Sequence, residues 1–515
     1  MNKLPHRLPR HRLWLTGALI LSAATGCSSV GPDYHRPDMS TILPKTFSTD
    51  HVTNKLIPAP SSHDHASGDG ILSTEDWWRG FSDPALTYLV EQALGHNLEL
   101  SSAKALIRQA REQTTITASA NQPQLNNTNR LGRDQLSRNS ENLANLPALD
   151  TSPKTLFSDY RSGFDASWEI DIAGHTARSN EAALARLIGI EQQRHVIALR
   201  IAAEIAGNVI DYRATQLRLH NAETSLNINR QLLQLLKLQQ QAGLLSSSDM
   251  TAAQGTVFST EASLAPLRAA AASSIAALAV LTTLSAEQVE AQLIPAITVT
   301  VAMSEESQAT PIPLVTGTIQ TGLPSELLQR RPDVMLAESQ LAAASADIGI
   351  AIAEQYPRLT LIGNAGLDSI IPGKLTQQAS QFWSLGPQLS IPILSGGRLK
   401  AQVRSKEAAR DAAIANYRQA VLVALQDTEV ALIRYQQEQQ RLHQLNRAVQ
   451  VQQQQCRFAK LRYELGDSNM AVLLDAQLQL AQLTDQEQLS QQAIANDQVA
   501  LMKALGGGFA TPLAN

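Results

Sequence analysis

The sequence predicts an α+β membrane protein. Four short strands per chain are pooled with those of other copies into a closed transmembrane β-barrel, and the barrel continues into a tube of very long helices. Three observations carry this. Phe382–Gln402, FWSLGPQLSIPILSGGRLKAQ, is apolar at alternate positions (Leu385, Pro387, Leu389, Ile391, Ile393), breaks at Gly396-Gly397, and from Arg398 turns into a long helical pattern. A related strand-to-helix junction, FDASWEIDIAGHTAR, lies earlier at Phe164–Arg178. The two are in constant register. Gly397 follows Gly174 by 223 positions (397 − 174), and the same offset relates Tyr435 to Tyr212, Gly466 to Gly243 and Ala476-Gln477 to Ala253-Gln254. Such a register marks an internal duplication of one unit: helix, two strands, long helix, turn, return helix.

Composition agrees. Of 515 residues only 4% are aromatic and 17% charged, and Ala, Leu and Gln abound, which favours long packed helices. A net charge of −4 offers no basic surface for nucleic acid. The two cysteines, Cys27 and Cys456, provide neither a disulfide framework nor metal-ligand spacing. His63, Asp64 and His65 lack a second ligand cluster, so no metal site is expected.

The chain opens with an export signal, residues 1–26. Lys3, Arg7, Arg10 and Arg12 form its positive region, and Leu13–Leu21 is an apolar core too short to span a bilayer. Ala24-Thr25-Gly26-Cys27 resembles the bacterial lipoprotein box, with Ala24 where Leu is usual, so Cys27 is the expected lipidation site. Ser28, rather than Asp, follows it, which by the sorting rule sends the anchor to the outer membrane. Past the signal no run of 18 apolar residues occurs. The nearest, Ala269–Leu284, reads as a packed helix, so any membrane crossing is by strands.

Residues 27–81 read as an extended leader punctuated by prolines and pinned to the body by Trp77, Trp78 and Phe81. The first repeat is expected over 82–284. Asp83-Pro84 caps a helix to about Leu94, and a second runs from Leu98 to about Ala120. Strands near 124–132 and 160–170 flank a polar loop, and a long helix runs from Ala177 to about Gln241. After a turn at Gly243, Asp249 caps a return helix to about Leu284. Residues 285–322 form a Pro- and Thr-rich linker, non-helical over 285–320. The second repeat, 323–505, has a helical turn at Pro324–Leu328, a helix over Asp333–Glu354, and strands near 359–367 and 382–393. Its long helix runs from Arg398 to about Leu465 and its return helix from Asn469 to about Leu505. A tail, 506–515, opens with three glycines that end the helix.

Each strand has the roughly 9–11 residues that cross a bilayer when tilted. Four cannot close a barrel, and an open edge in lipid leaves backbone groups unpaired at several kcal/mol each. Strands must therefore be shared between copies, and either two or three chains would satisfy closure. Arg398–Glu464 would span about 100 Å as a helix. Ile414, Tyr417, Val421, Ala424, Thr428, Ala431 and Tyr435 make a seam of alternating three- and four-residue steps, and Leu422, Leu425 and Leu432 form a second stripe. Two seams suit a ring in which each helix packs on both sides.

Leu323–Leu328, Arg330-Arg331-Pro332-Asp333-Val334, Ala337-Glu338, Ile348-Gly349 and Tyr356-Pro357 resemble the outer-membrane efflux channel family, TolC-like, in its lipoprotein branch. Ile391-Pro392-Ile393, Gly396-Gly397-Arg398, Tyr463 with Gly466, Leu473-Leu474-Asp475-Ala476 and Gly31-Pro32-Asp33-Tyr34 fit the same pattern. The resemblance implies a homotrimer with a 12-stranded barrel and a 12-helix periplasmic α-barrel closed at rest. It would be served by a periplasmic adaptor (membrane fusion) protein and an inner-membrane RND-type pump. It further implies that Gly243, Arg462, Tyr463 and Gly466 belong to the adaptor-docking tip, and that Asp475 belongs to an acidic ring forming the periplasmic gate. Gly174, Gly396 and Gly397 would mark the barrel–tunnel junction. One departure is Gly174-His175, where the family commonly has Gly-Arg.

No nucleophile–base–orienter spacing occurs, so neither catalysis nor a cofactor is expected. The expected function is a passive outer-membrane exit duct for drugs or other small molecules, anchored by acylated Cys27. The alternatives are a type I protein-secretion duct and a lipid-anchored structural coiled-coil lipoprotein.

Overall fold

The computed structural model describes residues 29–40, 42–47, 76–137, 155–242, 246–294, 311–315 and 323–508. A 3-10 turn, Trp77–Phe81, leads into α1 (Pro84–His96) and α2 (Leu98–Ser119). β1 (Gln124–Gln135) and β2 (Leu156–Ile170) precede α3 (His175–Gln241). Then come α4 (Ser247–Ala262), α5 (Leu264–Thr282) and α6 (Ala286–Leu293). A 3-10 turn and the short α7 (Leu327–Arg330) lead to α8 (Pro332–Ala353), β3 (Arg358–Ser369) and β4 (Gln381–Ser390). α9 (Arg398–Glu464) and α10 (Met470–Ala504) complete the described chain. α3 and α9 are both 67 residues long, about 100 Å each.

The chain divides into two compact units. One gathers Met1–Pro37, Arg108–Ile188 and Glu338–Ala415. It holds a single sheet in the order β1-β2-β3-β4, antiparallel throughout. Strands of 12, 15, 12 and 10 residues suffice to cross a bilayer. Because side chains alternate, the register sorts them onto two faces. One carries Leu131, Tyr160, Phe164, Trp168, Leu361, Leu367, Trp383, Leu385 and Leu389; the other carries Thr128, Arg130, Asp159, Arg161, Asp165, Asn364, Asp368, Ser384 and Gln388. Apolar outside and polar inside is the pattern of a membrane barrel. On the polar face the Phe382 ring lies across Gly163 and Gly366, where a Cβ would come within 3.4 and 3.1 Å of it, and the Arg161 guanidinium sits 4.5 Å from its centroid.

The other unit gathers Asp38–Ile107, Gly189–Ala337 and Asn416–Asn515. Its main core joins Trp77, Trp78 and Phe81 to Leu86 and Leu89 of α1, Ile201, Ile205 and Ile210 of α3, Leu278 of α5 and Val499 of α10. The Asp83 carboxylate caps α1, accepting from the Ala85 and Leu86 amides at 2.8 and 3.1 Å. On α9, Tyr417, Val421, Ala424, Thr428 and Ala431 are all buried, so the first seam is packed within the chain. Leu425 and Leu432 of the second stripe lean on a cluster with Phe47, Leu327 and Leu501, while Leu422 is exposed.

Four expectations are corrected. The linker is not wholly non-helical: α6 forms at Ala286–Leu293, where the Ser285 hydroxyl and the Gln288 side chain make a capping box and Val289 and Leu293 are buried. The cap of α4 is Ser246, not Asp249. The Ser246 hydroxyl accepts from the Asp249 amide at 3.2 Å and donates to its carboxylate at 2.8 Å. The return helix is broken at Ser263 into α4 and α5. β4 ends at Ser390, because Pro392 cannot donate to a ladder. In addition, Ser247–Thr282 contains an 18-residue window of mean hydropathy 1.7, long and apolar enough by length and composition to cross a membrane. Its Ala-rich makeup accounts for that value, and Val257 and Leu264 pack with Leu226 of α3.

Candidate functional site

The α9–α10 turn is built by the backbone. The Asp467 amide donates to Arg462 O at 2.8 Å and the Gly466 amide to Tyr463 O at 3.0 Å, the paired bonds of a Schellman end. Gly466 takes φ +75°, where a side chain would be strained. The Arg462 Nε donates to Asp467 Oδ2 at 2.9 Å, closing its own turn, and Tyr463 is 42% exposed. The Asn469 side chain caps α10 by accepting from the Val472 amide.

Asp475 lies in the second turn of α10, exposed beside buried Leu473 and Leu474. Its carboxylate accepts from Gln479 Nε2 at 3.0 Å. On the facing helix the Cys456 thiol donates to Ala476 O at 3.0 Å, and Gln452 Nε2 donates to the same carbonyl at 3.1 Å. Burial raises the thiol pKa, which keeps it a neutral donor. Gly243, at the α3–α4 turn, and Cys27 lie outside the described residues, as do His63, Asp64 and His65. Among the described residues no group of His, Cys, Asp and Glu could hold a metal.

The two strand–helix junctions use glycine at positive φ: +80° at Gly174, +58° at Gly396 and +82° at Gly397. They differ in surroundings. A Cβ at Gly174 would meet Ser29 at 2.5 Å, whereas one at Gly396 or Gly397 would meet nothing within 4 Å among the described residues. His175 opens α3 half-buried.

One residue quoted only as part of a motif turns out to organise its surroundings. Arg331 is buried, and its guanidinium donates to Asp333 Oδ1 and Oδ2 at 3.0 and 2.7 Å, Asp427 Oδ2 at 3.0 Å and Ala504 O at 3.2 Å. It thus holds the C-terminal end of α10, where a cation suits the helix dipole. Burial pushes its pKa down, but the bonds and charges of Asp333 and Asp427 outweigh this and the net shift is upward. Spacing offered no sign of this role, because the partners are 96 and 173 positions away.

Antiparallel strands of membrane-crossing length, passing through glycine junctions into 67-residue helices, define a barrel-and-helix outer-membrane channel. The chain belongs to the outer membrane efflux protein family, whose profile matches residues 89–284 and 323–507. It is 30% identical over 434 residues to the pyoverdine export outer membrane protein OpmQ of Pseudomonas aeruginosa, covering 84% of this chain and 87% of that one. It is 27% identical over 508 residues to the probable efflux pump outer membrane protein TtgC of Pseudomonas putida, covering 96% of each. Among solved structures it is similar to the outer-membrane channel OprN, with TM-score 0.76 and 28% identity over 94% of this chain and 100% of that one. The protein is thus an outer-membrane efflux channel component that extends into the periplasm.

Proposed function

We propose that this efflux protein works as a passive exit duct: a homotrimer whose twelve strands close one barrel and whose helices form one periplasmic tunnel. The observation that carries the reading is the open four-stranded sheet, with β1 and β4 each paired on one side only. An unpaired edge is not tolerated in lipid, and four strands are too few to close. A purely structural coiled-coil spacer would need no such sheet.

Transport energy comes from an inner-membrane RND-type pump reached through a periplasmic adaptor, which docks at the tips near Gly243 and Gly466. Cys27 carries the acyl anchor. The relatives' names, pyoverdine export and efflux pump, support small-molecule cargo. No residue acts as a catalyst in this reading. Three exposed Asp475 carboxylates around an axis would repel one another and attract cations, forming the tip gate.

The test is single-channel conductance in planar bilayers, together with the mass of the purified protein in detergent. A conducting particle of three chain masses is expected; a non-conducting monomer would overturn the duct. Asp475→Ala should raise conductance and weaken block by divalent cations, and an unchanged block would remove Asp475 from the gate.

A further inference from the structure

The segment that follows Cys27 is held at one of the two duplicated junctions by a set of contacts converging on one arginine. Arg178, in the first turn of α3, has a side chain only 4% exposed. Its Nε donates to Val30 O at 3.1 Å, and its Nη2 to Gly31 O at 3.2 Å and Asp33 Oδ1 at 2.7 Å. Its Nη1 donates to Glu181 Oε2 at 2.7 Å. The Val30 amide donates to Ala173 O at 3.0 Å, directly before Gly174.

Beneath this, backbone lies on backbone. A Cβ at Gly31 would fall 2.5 Å from Gly349 Cα, and one at Gly349 would fall 2.8 Å from Arg178 Cγ. Both glycines are therefore needed for the segment and the arginine stem to pack on α8. About three turns earlier on α8, Glu338 takes two 2.7 Å bonds from Arg36 and one of 3.2 Å from Tyr34.

Among the described residues the second repeat shows no such arrangement. The 223-residue offset places Ala401 where Arg178 stands in the first (178 + 223), and a Cβ at Gly396 or Gly397 would meet nothing within 4 Å.

We propose that residues 29–36 are a strap, clasped by Arg178, that locks the first strand–helix junction while the second is left unstrapped. The N-terminal segment is then a structural part of the joint rather than a loose tether. Resting on the reading that Cys27 is acylated, a consequence follows from chain reach. Two residues span about 7 Å at most, so the anchor enters the membrane within that distance of Ser29 and the first junction. The strap thereby sets the depth of the barrel against the inner face of the membrane.

The test is hydrogen exchange by mass spectrometry on the assembled, acylated protein in detergent, read on peptides covering residues 29–36. Arg178→Ala is expected to speed exchange there about tenfold or more. Arg178→Lys, which keeps the stem and charge but not the fork, should fall between. Cys27→Ala should leave the segment protected, because the clasp rather than the lipid holds it. Exchange within twofold of wild type in Arg178→Ala, or equal exposure in Cys27→Ala, overturns the strap. Should Arg178→Ala not assemble, Asp33→Ala and Glu338→Ala each remove one arm, and both should expose the segment severalfold; no change in either also overturns it. Conductance of the wild type is scored separately, so failure of the duct reading is distinguishable from failure of the strap.

Discussion

At the scale of single residues, buried charge decides most of what can be tested. Arg331 is held by Asp333, Asp427 and the end of α10. Hydrogen bonds to charged groups contribute about 1.5–3 kcal/mol, so Arg331→Ala should destabilise by roughly 2–3 kcal/mol. Arg331→Lys should recover only part, because an ammonium cannot fork between two carboxylates. Chemical unfolding in detergent would measure both. Glu487 on α10 carries the opposite lesson: burial raises its pKa. Its carboxyl holds its proton to higher pH in the folded chain than in the unfolded one. The stability this contributes is fully present below the unfolded pKa and is lost as pH rises through the folded one. Glu487→Gln should therefore raise the melting temperature above that window and change it little at acid pH. Asp497, raised by burial and by Glu438 against the opposing pull of Arg434, adds to the same slope.

At the scale of elements, the two junctions form a natural comparison. Gly174 and Gly397 have nearly the same φ, so alanine should cost about 1–2 kcal/mol at each through the backbone alone. Only at Gly174 would the new methyl strike Ser29. Gly174→Ala should therefore be the more damaging substitution; equal melting temperatures for the two variants would contradict the packing described. The sheet offers a second comparison. Leu385 and Ser384 are neighbours on opposite faces of β4. An arginine facing lipid near mid-depth costs about 2–4 kcal/mol, whereas one facing the lumen is tolerated. Leu385→Arg should reduce folding into vesicles strongly and Ser384→Arg hardly at all. The reverse result would invert the faces.

At the scale of the whole molecule, much of the architecture was legible in the sequence. Period-2 alternation in Leu385–Leu389 and Tyr160–Ile170 marked strands, the seam Tyr417–Ala431 marked a packed helix, and the 223-residue offset exposed the duplication. These are local periodicities, and a helix or strand that must bury one face writes that face into its sequence. What escaped was non-local or weakly coded. α6 was hidden because its eight residues carry little more than a capping box and two buried side chains. Asp249 reads as a cap because Ser246, Ser247, Ser248 and Asp249 are all capping residues, and only the backbone path selects among them.

By itself the sequence determined the alternation of strands with long helices, the strand faces, the length of the two 67-residue helices and the family, because each depends on residue spacing along one segment. The tertiary structure alone decided which distant partners meet: Arg331 with the end of α10, and Arg178 with the segment behind Cys27. The physical reason is that a buried guanidinium must be neutralised by whatever the fold brings within about 3 Å. That proximity is set by packing between elements far apart in the chain, and periodicity along one segment carries no record of it.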